Sequence, residues 1–243
     1  MSTDQLLLFV AAGLVLNLTP GPDVLYIVSN ALRSGKRAGM AAALGTSAGV
    51  FVHIFAATIG VSALLVASSA AFTALKWLGA AYLVYVGVRL LLSRADGAMV
   101  LEAASAQSAR LEGQFDTGKV FLQGFWTNAL NPKVALFFLA FLPQFIGPGV
   151  HNKPLAFFLL GLLFNFNCLW VNLGWATTAA WLSRRAAKVF TAGPPQGENA
   201  PPRGAATRAA AERGGIIRWL DKLAGALFIA FGLKLALTDN PSQ

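Results

Sequence analysis

Long apolar runs separated by short polar joints dominate this chain of 243 residues. A membrane-spanning helix needs roughly 20 predominantly apolar residues. Five runs reach this length, and we predict a transmembrane helix for each of them: 5–32, 38–66, 70–92, 118–146 and 154–182.

A sixth and weaker run covers 215–237, where Asp221 and Lys222 interrupt the first turns. Its clean apolar part covers only 223–233. The length rule favours a sixth span, with Lys234 extending its ammonium towards water at the far end. The alternative is a shallow segment at the membrane interface.

The spacing of the runs predicts two halves of three helices each. The first repeat covers 1–92, a polar joint covers 93–117, and the second repeat covers 118–237. The second repeat contains a further joint, 183–214, which is rich in Ala, Arg, Gly and Pro. This composition predicts a flexible segment.

The composition excludes a soluble globular domain. Hydrophobic residues make up 56% of the chain and charged residues 12%, about half of what a soluble domain carries. The mean hydropathy is +0.61. A disordered chain is excluded by the apolar content, and a disulfide scaffold is excluded because Cys168 is the single cysteine.

The basic residues predict the orientation in the membrane. Fifteen of the 19 Lys and Arg residues lie in or beside the first, third and fifth joints. Because cytoplasmic loops concentrate Lys and Arg, we predict that these joints are cytoplasmic and that both termini face outward. The net charge of +9 then reflects topology and contact with anionic lipid, and nucleic-acid binding is not predicted.

The first span contains a run of helix-breaking residues. Pro20 and Pro22 lack the N–H that interior helix positions need, and Gly21 adds conformational freedom. We expect the helix to break here, with Thr19 capping a half-helix that begins at Pro20. The candidate site residues at this break are Asn17, Thr19, Pro20, Gly21, Pro22 and Asp23.

The fourth span contains a second break of the same kind. Asn131 before Pro132 again predicts a helix cap followed by a proline in the first turn. The candidate site residues at this break are Asn128, Asn131, Pro132 and Lys133.

The two breaks occupy matching places, because Pro20 and Pro132 are 112 residues apart and each lies in the first helix of its half. Three helices per half give the two halves opposite directions in the membrane. Paired broken helices in such an inverted repeat form the substrate site of many secondary transporters. We therefore predict an all-α membrane protein with six transmembrane helices, arranged as two inverted three-helix repeats with the first helix of each broken at proline. The alternative is a pair of proline kinks without a ligand.

Asp23 is the one acidic residue deep inside a predicted span. A charge at that depth is costly and points to function. Desolvation favours the protonated form and a nearby helix N-terminus favours the carboxylate, a balance that suits a group exchanging a proton. Asp23 could also pair with a substrate ammonium. The structural alternative is a carboxylate paired with half-helix amides or with Lys133.

Other polar residues in the spans are weaker candidates. Asn165 and Asn172 are seven residues apart and share a helix face, where they could line a cavity or form interhelical hydrogen bonds. His53 is a candidate proton relay, although a lone buried histidine is more often a satisfied core residue.

Enzyme signatures are weak. Residues 45–49 match the Gly-x-Ser-x-Gly pattern of hydrolases, but that motif requires a strand-to-helix turn and here lies in an apolar helical run. Gly45 and Gly49 are instead expected to allow close helix packing. The sequence predicts no catalytic residue, no metal site and no cofactor.

At the broken helices the chain resembles the lysine exporter/homoserine–threonine resistance (LysE/RhtB) family of amino-acid exporters. The resemblance covers nearly the whole chain and is carried by four segments. They are NLTPGPDVLYIVSNAL, RSGKRAGMAAALGTSAG, LKWLGAAYLVYVGVRLL and NALNPKVALFFLAFLPQF.

The resemblance implies six helices in the bacterial inner membrane and export of amino acids or relatives driven by the proton gradient. In that membrane the outward-facing termini predicted from the basic residues are periplasmic. The resemblance also makes Pro20, Gly21, Pro22, Asp23 and the Asn131–Lys133 segment the best site candidates. The implied partners are an amino-acid-like solute, protons and membrane lipid. Whether the protein forms a homo-oligomer stays open.

The residues alone predict a secondary transporter for a small solute, and the resemblance adds export, amino acids and protons. Two rival functions stay open, a channel-like pore and a non-transporting membrane scaffold.

Overall fold

The structure is a computed structural model that describes residues 3–61, 69–92, 102–107, 116–146, 150–191, 222–223, 225–233 and 236–237. Every secondary-structure element in these parts of the chain is helical. Two helical stretches, Pro22–Gly60 and Lys153–Arg185, are long and apolar enough to cross a membrane. Two further pieces, Thr117–Ala129 and Pro132–Phe145, make a third span if counted together, with a bend of 44° between them. The described chain is therefore an all-helical membrane protein.

The first half begins with helix α1, Thr3–Leu18, and continues in helix α2, Pro22–Ala56, which ends in a π-helical turn, Ala57–Val61. Inside α2, Gly35 leaves the helical conformation with φ 77° and ψ −167°. A straight helix of 35 residues would be about 52 Å long, far more than the roughly 30 Å of a hydrocarbon core. The turn at Gly35 therefore separates the first two predicted spans.

The third predicted span is helix α3, Ser69–Leu92, which begins one residue before the prediction and ends at the predicted residue. In the joint that follows, residues 102–107 form a short helical piece. The rest of this joint, 93–101 and 108–115, lies outside the described residues, as does the predicted end of the second span at 62–66.

The fourth predicted span is built from several short pieces. Helix α4, Thr117–Ala129, is followed by helix α5, Pro132–Leu136. A π-helical turn, Phe137–Phe141, and a 3-10 turn, Leu142–Phe145, complete it.

The fifth span is helix α6, Lys153–Thr191. The joint of 183–214 begins in helix, because α6 continues through its first residues to Thr191. Arg, Ala and Lys are good helix formers, so the helix extends beyond its apolar part. The remainder of that joint, 192–214, and the start of the sixth segment with Asp221 lie outside the described residues. Residues 225–233 of the sixth segment are helical.

Glycines bring α2 and α4 into backbone contact. A Cβ added at Gly49 would lie 2.9 Å from the Asn128 Cβ, and one added at Gly124 would lie 2.8 Å from the Ala42 carbonyl oxygen. Gly45 meets the backbone of Phe121 in the same way. The expectation that Gly45 and Gly49 serve close packing is confirmed, and this packing holds α4 and the second break against α2.

Candidate functional site at the two helix breaks

The first break lies between Leu18, where α1 ends, and Pro22, where α2 begins. The predicted cap was wrong, because the Thr19 hydroxyl donates a hydrogen bond to the Val15 carbonyl at 2.8 Å, within α1. Gly21 is the N-cap residue of α2 and gives no side-chain cap. Pro20 does not begin the new helix because a residue before proline avoids the helical region, and Gly21 precedes Pro22. Gly21 is accordingly extended, with φ −137° and ψ −174°.

The second break follows the prediction. Helix α4 ends at Ala129, and the side-chain oxygen of Asn131 accepts a hydrogen bond from the Lys133 N–H at 3.0 Å. Pro132 is the first residue of α5. The cap at Asn131 and the proline in the first turn are therefore confirmed.

Each break frees a backbone carbonyl, because a proline lacks the N–H that would bind the carbonyl four residues earlier. Pro20 frees the carbonyl of Leu16, and the Lys133 ammonium donates to this oxygen at 2.9 Å. The same ammonium also donates to the carbonyl of Thr19 at 2.9 Å. The side chain of the second break thus binds the carboxyl end of α1, and the two breaks lie next to each other.

Asp23 and Lys133 both lie beside Gly21. A Cβ added at Gly21 would be 2.8 Å from the Asp23 Oδ1 and 3.2 Å from the Lys133 Nζ. The two charged atoms are therefore no more than about 6 Å apart. Gly21 is needed for the space it leaves, since its backbone conformation is one that any residue adopts.

Buried polar atoms without hydrogen-bond partners gather at these breaks. Asp23 is 3% exposed, and its Oδ1 has no partner among the described residues. Buried unpaired groups are rare in folded proteins and point to bound water or a ligand. The other such atoms at the two breaks belong to buried asparagines: Asn17 Nδ2, Asn128 Nδ2 and Oδ1, and Asn131 Nδ2.

The weaker sequence candidates have different surroundings. Asn172 is part of an interhelical hydrogen-bond network, because its amide donates to the Thr46 hydroxyl at 3.1 Å and to the Cys168 sulfur at 3.4 Å. Asn165 is buried, and its Oδ1 has no partner among the described residues. His53 is buried on α2, and its Nε2 lies 2.9 Å from the Asn128 carbonyl oxygen.

A cluster of buried phenylalanines, missed by the sequence analysis, packs on one side of the breaks. The Phe137 and Phe164 rings are 4.7 Å apart, and Phe138 and Phe164 meet edge to face at 5.3 Å. Periodicity identified no such cluster, although the fourth span carries a phenylalanine-rich run from Phe137 to Phe145. The phenylalanines of the cluster are Phe9, Phe137, Phe138, Phe141, Phe145, Phe157, Phe164, Phe228 and Phe231.

Small residues pack on the other side of the breaks. Ala104, from the short helical piece 102–107, is fully buried in a cluster that includes Val28 and Ala180. The Ser29 hydroxyl oxygen lies 3.2 Å from the Gln107 Oε1. The joint between the halves therefore returns to α2 and α6, a contact the sequence analysis also missed.

The protein family comparison matches most of the chain. The model of the family described as LysE type translocator covers residues 14–192. Among similar proteins, an uncharacterized membrane protein of Pseudomonas aeruginosa is 31% identical over 90% of this chain and 88% of its own length. An uncharacterized membrane protein of Vibrio cholerae is 34% identical over 73% of this chain and 82% of its own.

A further relative carries a transport name. The homoserine/homoserine lactone efflux protein of Salmonella typhimurium is 32% identical over 69% of this chain and 79% of its own length. No solved structure matches the chain.

Proposed function

Because this chain belongs to the LysE type translocator family, we propose that it is a secondary transporter that exports an amino acid or a close derivative across the bacterial inner membrane. One observation carries the proposal. Two broken helices meet at Lys133, and buried polar atoms without partners surround the meeting point. Broken helices that point unpaired polar groups at one place form the substrate site of many secondary transporters.

The packing directions support a fold of six helices in two inverted repeats. Successive contacts run in the same sense along α2 and α4, from Gly45 with Phe121 to Gly49 with Asn128. Helix α3 and the helical residues 225–233 are antiparallel. Gly87 meets Gly225, whereas the earlier Ala80 meets the later Gly232. Alternating spans require this, since the second and fourth run the same way and the third and sixth run oppositely.

Aromatic and basic pairs support the proposed orientation. Near the ends of α3 and α6, Arg89 contacts the Tyr85 hydroxyl at 3.4 Å and Arg185 lies 4.2 Å from the centre of the Trp181 ring. Aromatic residues beside arginine mark the membrane interface, and arginine favours the cytoplasmic side. We place both helix ends at the cytoplasmic interface and both termini in the periplasm.

The groups at the breaks fit an amino-acid zwitterion. A carboxylate needs donors, which the amides of Asn17 and Asn131 and the N-terminal backbone of α2 provide. An ammonium needs an acceptor, which the Oδ1 of Asp23 provides. The Lys133 ammonium donates to the carbonyls of Leu16 and Thr19 at the end of α1. Its positive charge therefore lies near the Asp23 carboxylate without occupying the Oδ1.

Proton antiport follows if Asp23 holds either a proton or the substrate ammonium. A solute entering from the cytoplasm would displace the proton, and a proton entering from the periplasm would replace the departed solute. The buried carboxylate thereby remains compensated in both half-cycles. Mutual exclusion at one oxygen would couple outward flux of the solute to inward flux of protons.

Alternating access requires a closure on each side of the site. We assign the periplasmic closure to the phenylalanine cluster around Phe137 and Phe164. We assign the cytoplasmic closure to the contact of Ala104 and Gln107 with α2 and α6. Each closure would open in turn.

Transport by the purified full-length protein in liposomes tests the proposed function. The liposomes contain labelled homoserine, threonine, leucine or lysine in separate assays, and a proton gradient is imposed with and without a protonophore. We expect one solute or a related group to move against its concentration gradient, and the protonophore to abolish that movement. Flux that ignores the proton gradient would identify a pore. No flux of any amino acid, together with no change of metabolites in the medium when the gene is deleted, would support a scaffold.

A further inference from the structure

His53 contacts a carbonyl at the second break, as Lys133 does at the first. Pro132 frees the carbonyl of Asn128, just as Pro20 frees that of Leu16. The offset of 112 residues that relates the two prolines also relates these two carbonyls. The Leu16 carbonyl, in the first half, receives a donor from the second half, and the Asn128 carbonyl, in the second half, receives the His53 ring from the first.

The hydrogen bond fixes the proton on the His53 ring. A carbonyl oxygen accepts and never donates, so the Nε2 atom, 2.9 Å away, carries the hydrogen. The Asn131 N–H takes the other acceptor position of the same carbonyl at 2.8 Å. Both lone pairs of the freed Asn128 carbonyl are thereby used.

The surroundings hold the His53 ring in this position. The ring stacks on Phe138, with centres 6.0 Å apart and planes 29° apart. Gly49, one turn earlier on the same face of α2, brings the helix backbone close to Asn128 and Ala129. A side chain at Gly49 would push the broken helix out of reach of the ring.

We propose that His53 is a positioning residue that holds the second helix break in place through the Asn128 carbonyl, as the counterpart of Lys133 at the first break. Each half of the protein then stabilises the freed backbone of the other. Losing either donor loosens the packing between the breaks. The role of this bond in transport rests on the proposed function. The effect of the bond on the packing between the breaks is measured without a transport assay.

Cys168 provides a native reporter of that packing. It is buried, it is the single cysteine of the chain, and it belongs to the same buried cluster as Leu16 and Phe138. Its alkylation by N-ethylmaleimide in native membranes therefore measures how often the region between the breaks opens.

Two substitutions of His53 differ by one methylene. In His53→Gln, the amide N–H reaches about as far as the Nε2 of histidine, whereas in His53→Asn it falls short. We expect His53→Gln to label at the wild-type rate and His53→Asn to label about fivefold faster, the effect of losing one ordinary hydrogen bond. His151→Asn, at an exposed histidine, is the matched control and should label at the wild-type rate.

The same comparison in a Pro132→Ala variant tests whether the effect of His53→Asn depends on the freed Asn128 carbonyl. Pro132→Ala restores a backbone N–H at position 132, so the Asn128 carbonyl has less need of His53. We expect His53→Asn to change labelling less than twofold in this background. Equal labelling of the Gln and Asn variants, at the wild-type rate or above it, would overturn the proposal, as would an undiminished effect in Pro132→Ala.

Folding is followed by size-exclusion chromatography in detergent. If His53→Asn does not accumulate, accumulation of His53→Gln at the wild-type level supports the proposal and failure of both variants overturns it. Absence of transport by the wild-type protein would contradict the proposed function and leave the labelling comparison intact.

Discussion

The ammonium of Lys133 binds the carbonyl of Leu16 at 2.9 Å, across 117 residues of sequence. The Leu16 oxygen is the acceptor that Pro20 leaves without its helical donor. A hydrogen bond from a charged donor is stronger than one from a neutral donor. Without Lys133, the Leu16 carbonyl would be buried with no donor, which costs stability. This bond therefore joins the two halves at the depth where both helices are broken.

Replacing Lys133 tests this contact. Lys133→Met keeps the length of the side chain and removes its donors, so we expect the protein to lose about 1.5–3 kcal/mol of stability and most of its efflux. Thermal unfolding in detergent measures the first effect, and uptake into inverted vesicles measures the second. Lys119→Met, at an exposed position, should change stability by less than about 0.5 kcal/mol. Equal stability of the two variants would contradict the assigned contact.

Asp23→Asn tests the coupling role. The amide keeps the size of the carboxyl group but neither takes up a proton nor carries a charge for an ammonium. We expect coupled export to be abolished while membrane insertion stays intact, measured with labelled amino acids in inverted vesicles. Asp116→Asn, at the exposed cap of α4, should retain export. Normal efflux from Asp23→Asn would remove Asp23 from the mechanism.

Gly35→Ala tests the turn inside α2. A Cβ at Gly35 meets no atom within 4 Å, so space is not the obstacle. The obstacle is the backbone, because φ 77° with ψ −167° is a region open almost only to glycine. We expect a loss of about 1–3 kcal/mol of stability, measured by thermal unfolding.

Gly174 is the matched control for that turn. It also has no atom within 4 Å of an added Cβ, but it lies inside helix α6. Gly174→Ala should leave stability unchanged or raise it, since alanine favours helix. If both alanine variants behave alike, the strained turn at Gly35 is not important for stability.

A cross-link tests the proposed cytoplasmic closure. Ser29→Cys and Gln107→Cys are introduced together with Cys168→Ala, and a short bifunctional thiol reagent joins them. We expect cross-linking to stop efflux and cleavage of the linker to restore it, because the closure then opens again. Each single-cysteine variant treated with the reagent serves as a control. Full efflux from the cross-linked protein would exclude this contact as a gate.

Local rules in the sequence predicted much of the helical framework. Hydropathy located α3 within one residue, and the missing N–H of proline located both breaks. The cap at Asn131 depends on neighbouring residues alone, so it too was predictable. The start of α2 was misplaced by two residues, because Pro22 restricts Gly21 before it and that restriction outweighs the capping preference of Thr19.

The sequence could not reveal contacts between distant residues. His53 meets Asn128 across 75 residues, and helical periodicity carries no information about which helices become neighbours. The end of α6 was also misjudged, because hydropathy reports the edge of the lipid and the helix extends past that edge to Thr191. The candidate residues were identifiable by type, but their partners were not.

The glycine contacts between α2 and α4 have a mechanical consequence. With backbone against backbone at Gly45, Gly49 and Gly124, the two helices leave no room for a side chain at these three points. Interfaces packed so closely resist sliding. We therefore expect α2 and α4 to act as one stationary frame shared by both repeats, while α1 and α6 shift against it. The stationary and the moving group would then each contain helices of both repeats, and the repeats would not rock as separate halves.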